Sequence, residues 1–292
     1  MLLQRFLRLC ADLLAVLRSF IREPAESLQI LRTLPHTLAG SEHAKQWAQK
    51  SSGEVSRLFA APAESNPLAR YFNAHNEGKG IWKVEHYLDI YHQYFAKFIG
   101  KEVNVVEIGV FSGGSLEMWK SYFGPKCKVY GVDIREQCRA YAGDGVEIFI
   151  GDQEDRAFWK SFKAKVPQVD ILIDDGGHLL EQQVATLEEM LPHLRPGGIY
   201  LCEDIVSVHN TFPAYIHGFL RRLNAFEYRP SDLEVDATPF QRSIRAIHVY
   251  PYVTVIERSD VPALHFRLPM HGTEWKPIED AGTSKLTLSG QS

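Results

Sequence analysis

Leu3, Phe6, Leu9, Leu13, Val16 and Phe20 recur at three- and four-residue spacing, and Gln4, Arg5, Arg8, Asp12, Arg18 and Arg22 fill other positions. That period predicts an amphipathic helix over 2–22 with a basic polar side. Further helical stretches are expected around 25–34 and 43–59, separated by Pro24, Pro35 and Gly40 as breakers. Residues 1–72 therefore read as a helical N-terminal appendage. From 83 to 99 the helical period returns in Val84, Tyr87, Leu88, Tyr91, Tyr94, Phe95 and Phe98. This aromatic-rich helix leads directly into the first strand of the core.

The rhythm then changes. Short apolar runs at 104–108, 128–132, 146–150, 170–173 and 198–202 alternate with helical stretches beginning near Ser115, Gln153 and Glu181. Such βαβ repetition predicts a doubly wound, mainly parallel α/β sheet with helices on both faces, spanning 73–262. Runs at 244–250 and 253–258 flank a Tyr-Pro-Tyr turn and predict an antiparallel hairpin that closes the sheet. Residues 263–292 are expected to form a C-terminal extension whose Gly/Ser-rich end, near 282–292, is a mobile tail.

Composition narrows the function. A chain of 292 residues with 45% hydrophobic content can bury one large core and leave an appendage. A net charge of -4 argues against a nucleic-acid surface, which needs concentrated Lys and Arg, so a small or amphipathic substrate is expected. Cys10, Cys127, Cys138 and Cys202 form no C-x-x-C pair and no zinc spacing, which predicts reduced, mostly buried thiols. No long uncharged apolar run would span a membrane, and Arg5, Arg8, Asp12 and Arg18 interrupt any secretory signal. A cytoplasmic location is the expectation. The helix over 2–22 suits docking on the catalytic domain or on a second subunit of a homo-oligomer, the ordinary use of an amphipathic helix. Its basic side leaves open peripheral contact with an anionic membrane surface.

Candidate chemistry sits at the strand tips. Val-Val-Glu-Ile-Gly-Val-Phe-Ser-Gly-Gly-Ser, 105–115, is a strand breaking into a glycine loop before a helix. Gly109 and Gly113 allow close backbone approach to a ligand where open α/β sheets bind theirs. The spacing E-x-G-x-x-x-G-G lacks the G-x-G-x-x-G cradle of a dinucleotide site. Asp133, 24 residues past Gly109, is placed to accept hydrogen bonds from ribose hydroxyls, and Asp152, ending the third run, can reach an adenine edge. Three acidic residues, Glu107, Asp133 and Asp152, at successive strand tips suit a nucleoside whose amino acid carries a cationic sulfonium, and would repel a pyrophosphate. Each carboxylate also has a structural use as a helix cap.

Val-Asp-Ile-Leu-Ile-Asp-Asp-Gly-Gly-His, 169–178, is a buried strand that emerges as Asp174, Asp175 and His178. Leu-Arg-Pro-Gly-Gly-Ile-Tyr-Leu-Cys-Glu-Asp then makes a turn and a strand ending in Glu203 and Asp204. If the two strands are neighbours, about 4.8 Å apart, their acidic ends converge. Such a cluster needs a cation, and hard oxygen ligands imply magnesium or another hard divalent ion. His178 is the natural proton acceptor beside it, or else opens the helix that follows. His86 and His209 are weaker candidates for substrate contacts.

Together these residues resemble the metal-dependent sugar O-methyltransferases of antibiotic biosynthesis, of the mycinamicin, macrocin and rhamnosyl type. The resemblance covers about 78–258 and rests on Lys-Gly-Ile-Trp-Lys-Val-Glu-His-Tyr-Leu-Asp-Ile-Tyr, Glu-Ile-Gly-Val-Phe-Ser-Gly-Gly-Ser, Asp-Asp-Gly-Gly-His and Pro-Gly-Gly-Ile-Tyr-Leu-Cys-Glu-Asp. It implies a class I, Rossmann-like, seven-stranded methyltransferase sheet, S-adenosylmethionine as donor, and a hydroxylated, sugar-bearing small molecule as acceptor. By the same resemblance Asp175, Glu203 and Asp204 hold the metal and His178 is the base. Glu107 and Asp133, with Gly109, Gly113, Asp152 and Asp174, bind the donor, and the aromatic segment before the core closes over the site. Where relatives often place a histidine two residues after the Glu-Asp pair, this chain has Val206. Two rivals remain: an iron-dependent hydroxylase of the cephalosporin hydroxylase-like family, and a non-catalytic scaffold with this fold.

Overall fold

A computed structural model describes residues 2–55, 65–206, 210–226, 234–267 and 271. The chain forms two compact units, Met1–Ala61 and Pro62–Ser292.

The first unit holds α1 (Leu2–Arg22) and α2 (Pro24–Val55). The two helices expected around 25–34 and 43–59 are one. Pro35 lies inside it, where it lacks the N–H that would donate to the preceding turn. The hydroxyls of Thr33 and Thr37 bond back to the carbonyls of Ile30 and Thr33 around that gap. Good helix formers on either side outweigh the two breakers. Leu13, Leu14, Leu17 and Ile21 of α1 are exposed, as are Leu31, Leu38 and Trp47 of α2. No helix among the described residues is long and apolar enough to cross a membrane.

The second unit opens with α3 (Pro67–Ala74) and α4 (Glu85–Phe95). The buried Asn66 caps α3 by accepting from the N–H of Leu68, and donates to the Leu88 carbonyl and to Asp89, fastening α3 to α4. Leu68 and Ala69 of α3, residues assigned above to the appendage, lie in the hydrophobic core of this unit. The α/β region follows as β1 (Val103–Ile108), α5 (Gly114–Phe123), β2 (Cys127–Asp133), β3 (Val146–Ile150), α6 (Arg156–Lys165), β4 (Val169–Asp174), α7 (Leu180–Met190) and β5 (Leu194–Cys202). Asp155 accepts from the N–H of Ala157 and starts α6 three residues later than the pattern suggests. After β5 come α8 (Phe212–Leu223), β6 (Glu234–Asp236), α9 (Pro239–Ser243), β7 (Ile244–Tyr250), β8 (Val253–Arg258) and β9 (His265–Arg267).

Seven strands form one sheet in the order β3-β2-β1-β4-β5-β8-β7. The first five are parallel, and the β7–β8 hairpin adds two antiparallel strands beside β5, as the Tyr-Pro-Tyr pattern predicts. β6 pairs with β9 in a separate antiparallel ribbon. The expected tail near 282–292 lies outside the described residues.

Alternation along each strand divides the core. Val105 faces the layer containing Tyr91, Phe95, Trp119 and Phe123, and Val106 faces that of Trp159, Phe162, Leu187 and Phe212. Each such side chain removed from water contributes roughly 1.5–3 kcal/mol. β1 pairs with β2 on one side and β4 on the other, so the winding direction reverses between β1 and β4. Open α/β sheets bind ligands beyond the carboxyl ends of the strands at such a point. All four cysteines are free, and Cys127, Cys138 and Cys202 are buried.

Candidate active site

A cavity of about 640 Å³ opens at this reversal. Residues following all five parallel strands line it: Gly109 and Phe111 after β1, Asp133 at the tip of β2, Asp152 after β3, Asp175 and His178 after β4, and Glu203 and Asp204 after β5. The segment 80–84, which precedes α4, completes the wall.

The half beneath β1, β2 and β3 is held by backbone. A Cβ on Gly109, whose φ is +89°, would lie 1.9 Å from the carbonyl oxygen of Asp175, so only glycine lets the β1 and β4 loops meet. Gly113, at φ +74°, starts α5, and a Cβ there would meet the Tyr141 ring at 2.8 Å. It does not line the cavity, and its necessity lies in packing. Asp133 accepts from the N–H groups of Phe111 (3.1 Å) and Arg135 (2.8 Å), and Asp152 accepts from that of Glu154 (2.9 Å). Both line the cavity, Asp133 partly buried and Asp152 exposed. Glu107 is fully buried behind Ser115 and Lys83: one oxygen accepts from the Ser115 hydroxyl at 2.7 Å, and the other stands 3.5 Å from Lys83 Nζ. Burial pushes its pKa up against the opposing pull of the Lys83 charge.

The half beneath β4 and β5 is held by charge. These strands are neighbours, with Asp174 opposite Cys202, so their acidic tips converge as anticipated. Asp174, however, is turned into the core, where it accepts from Gln153 (2.9 Å) and Tyr200 (3.1 Å) and does not line the cavity. Burial pushes its pKa up to about 7. Asp175, the next residue, faces the opening.

Lys83 occupies the middle of the acidic cluster. Its Nζ lies 2.5 Å from Asp175 Oδ2, 3.2 and 3.3 Å from the two oxygens of Glu203, and 3.5 Å from Glu107. Burial alone would favour a neutral amine, but Glu203, Asp175 and Glu107 reverse that and hold Lys83 protonated well above its usual range. The Tyr91 hydroxyl donates to Glu203 at 2.5 Å and that of Tyr87 to Asp204 at 2.6 Å. Burial, offset in part by Lys83, pushes the Glu203 pKa up.

His178 Nε2 stands 3.9 Å from Asp175 and 3.8 Å from Asp204, and both His178 and Asp204 adopt left-handed backbone, at φ 57° and 52°. Leu179, not His178, occupies the N-cap position of α7, with no side-chain hydrogen bond there. The His178 carbonyl is anchored by Asn210 Nδ2 at 2.9 Å. One donor atom each from Asp175, His178 and Asp204 falls within a 4.8 Å cluster, an oxygen-rich set that fits a hard divalent cation. In this arrangement Glu203 stands beside that group, its oxygens engaged by Lys83 and Tyr91. His86 bonds to the Pro251 carbonyl, and His209 lies outside the described residues.

Lys83, Tyr87, Tyr91, Gln153 and Asn210 hydrogen-bond within the site, a part that the sequence pattern assigns to none of them individually. Lys83 carries a weak signal: with Lys79 it is one of two cations just before an aromatic-rich helix, in a chain with an unneutralised acidic cluster. Asn210 has none, since its partners His178 and Gln183 lie about 30 residues away.

Residues 106–205 match a family model described as a methyltransferase domain. The chain is 33% identical over 225 residues to the 8-demethyl-8-alpha-L-rhamnosyl tetracenomycin-C 2'-O-methyltransferase of Streptomyces olivaceus, an alignment covering 70% of this chain and 58% of that protein. To the mycinamicin VI 2''-O-methyltransferase of Micromonospora griseorubida it is 31% identical over 221 residues, covering 68% of this chain and 53% of the relative. Among solved structures it resembles the MycE methyltransferase of the mycinamycin biosynthetic pathway in complex with Mg and SAH. That match has a TM-score of 0.55 at 25% identity and covers 68% of this chain and 55% of the other. The chain thus spans little more than half the length of the curated relatives it matches. These relatives are O-methyltransferases, so neither the hydroxylase nor the scaffold reading is favoured.

Proposed function

We propose that this chain, which carries a methyltransferase domain over residues 106–205, transfers the methyl group of S-adenosylmethionine to a hydroxyl of a sugar-bearing small molecule with the help of a divalent cation, preferably magnesium. The carrying observation is that one cavity gathers Asp133 and Asp152 on one side and Asp175, His178, Glu203 and Asp204 on the other. Relatives named for methylation of rhamnosyl and mycinamicin hydroxyls support the acceptor class.

When bound, the donor supplies an electrophilic sulfonium methyl, and the cation supplies charge that lowers the pKa of an adjoining hydroxyl. Asp133 and Asp152 accept hydrogen bonds from the donor's ribose and adenine edge, with Gly109 giving its backbone room and Glu107 fixing Ser115 and Lys83 behind it. Asp175, Glu203 and Asp204 hold the cation. His178 Nε2, facing the same space as Asp175 and Asp204, takes the acceptor proton. Segment 80–84 shields the reacting groups from water, with Trp82 at its exposed edge. The free, largely buried cysteines support action in the cytoplasm. The exposed Leu13, Leu17 and Ile21 beside Arg18 and Arg22 support a docking role for α1, on a second subunit or an anionic surface.

The test is incubation with deuteromethyl-labelled donor and a panel of rhamnosylated and other glycosides, with mass spectrometry of products. Label should enter one glycoside hydroxyl, EDTA should abolish it, and His178→Ala should slow turnover about 10²- to 10⁴-fold while donor affinity stays within about twofold. Full turnover in EDTA would remove the metal from the reading. No donor binding by calorimetry would remove the methyltransferase.

A further inference from the structure

Lys83 holds oxygens that a divalent cation would need. Its Nζ engages Asp175 Oδ2 and both oxygens of Glu203, two of the three carboxylates proposed above as ligands, and its side chain is almost wholly enclosed. Glu107 supplies a third carboxylate to the same ammonium. What Lys83 leaves unengaged is Asp175 Oδ1, together with His178 and Asp204 facing it. Glu203 cannot turn toward that group while it bonds to Lys83 and Tyr91.

We propose that Lys83 is a tethered counter-ion that occupies the cation position between Asp175 and Glu203 when no metal is bound, and that it competes with a divalent cation for those two carboxylates. The inference rests on the metal role proposed above. A divalent cation and Lys83 drawn to the same oxygens weaken each other's hold, since their repulsion in a partly dehydrated pocket adds to the loss of Lys83's own bonds. Lys83 has somewhere to go. It lies in a segment without regular secondary structure, directly before the start of α4, and its neighbour Trp82 is 86% exposed at the cavity edge. The bare cluster is thereby kept from carrying three unneutralised carboxylates, and metal binding is kept exchangeable rather than permanent.

The experiment is calorimetric titration of MgCl₂ and MnCl₂ into metal-stripped wild type, Lys83→Met and Lys83→Arg, with no donor or acceptor present. Lys83→Met should bind at least tenfold more tightly than wild type, Lys83→Arg should stay near wild type, and the Tm of Lys83→Met should rise on metal addition more than that of wild type. Equal or weaker binding by Lys83→Met would overturn the proposal. Should Lys83→Met fail to fold, brief acetic anhydride labelling of wild type with peptide mapping gives the answer: Lys83 should be protected in EDTA and modified in saturating Mg²⁺. Unchanged protection overturns the proposal. S-adenosylmethionine is titrated into the same samples, so loss of metal competition with donor binding intact separates this inference from the methyltransferase reading.

Discussion

On the β1–β2–β3 side of the cavity, Asp133 and Asp152 are steadied by nearby backbone N–H groups and keep accessible surface. On the β4–β5 side, Asp175 and Glu203 are steadied by a buried ammonium, and Glu203 and Asp204 by tyrosine hydroxyls reaching in from α4. In the first arrangement each carboxylate and its donors lie at most 22 positions apart. The second depends on residues about 90 to 120 positions apart. A single carboxylate at a strand tip can be steadied by the loops around it, whereas a concentration of like charges requires partners drawn from elsewhere in the fold.

The contrast breaks most severely where the β1 and β4 loops meet. Gly109→Ala drives a methyl group into the Asp175 carbonyl at a backbone angle that disfavours any side chain. It should cost about 3–5 kcal/mol in urea unfolding and impair both donor and metal binding. A loss confined to one ligand would show that the halves are not joined there. Next in size, Asp133→Ala removes charged acceptors from the donor half only. Donor affinity should fall roughly tenfold or more by calorimetry, the worth of one hydrogen bond to a charged group, with metal affinity unchanged.

The smallest effect lies behind the acidic half, where Arg156 of α6 pairs with Glu188 and Glu189 of α7, the helix that follows His178. The Lys163 hydrogen bond holds Glu189 below the usual carboxylate range against partial burial, and Arg156 adds to it. Because the folded pKa is depressed, this stabilisation is present above the unfolded value, near 4.3. It is lost as pH falls through the folded value. Arg156→Ala should therefore lower stability by about 0.5 kcal/mol at pH 7, and less at pH 3.5, in parallel denaturation curves. An equal loss at both pH values would assign the effect to packing.

The strands were legible because alternating and continuous apolar runs have few other readings, and 146–150, 244–250 and 253–258 are observed at the same bounds. Helix α2 was misread because propensity rules penalise Pro35 and Gly40 singly, whereas a 32-residue helix absorbs both. Asp174 was grouped with the donor ligands although strand periodicity already forbids it, since adjacent residues point to opposite faces and only one of Asp174 and Asp175 can reach the cavity. Glu203 and Asp204 escape that rule because both lie beyond the end of β5 and Asp204 leaves extended backbone for a left-handed conformation. Lys83 is legible as a cation near the site but not as the partner of particular carboxylates, because that role exists only once β1, β4 and β5 lie side by side. The hydroxyls of Tyr87 and Tyr91 were hidden for another reason: on a helical stripe an aromatic ring reads as packing, and its polar tip carries no sequence signature.

The carbonyl of Asp175 fills the volume a side chain at position 109 would occupy. Anyone transplanting the acidic cluster to another parallel sheet must therefore carry the β1 tip along with the β4 tip. A donor scaffold with alanine or serine at the first loop would hold the grafted carboxylate too far out, so the smallest portable module is the pair of strand ends.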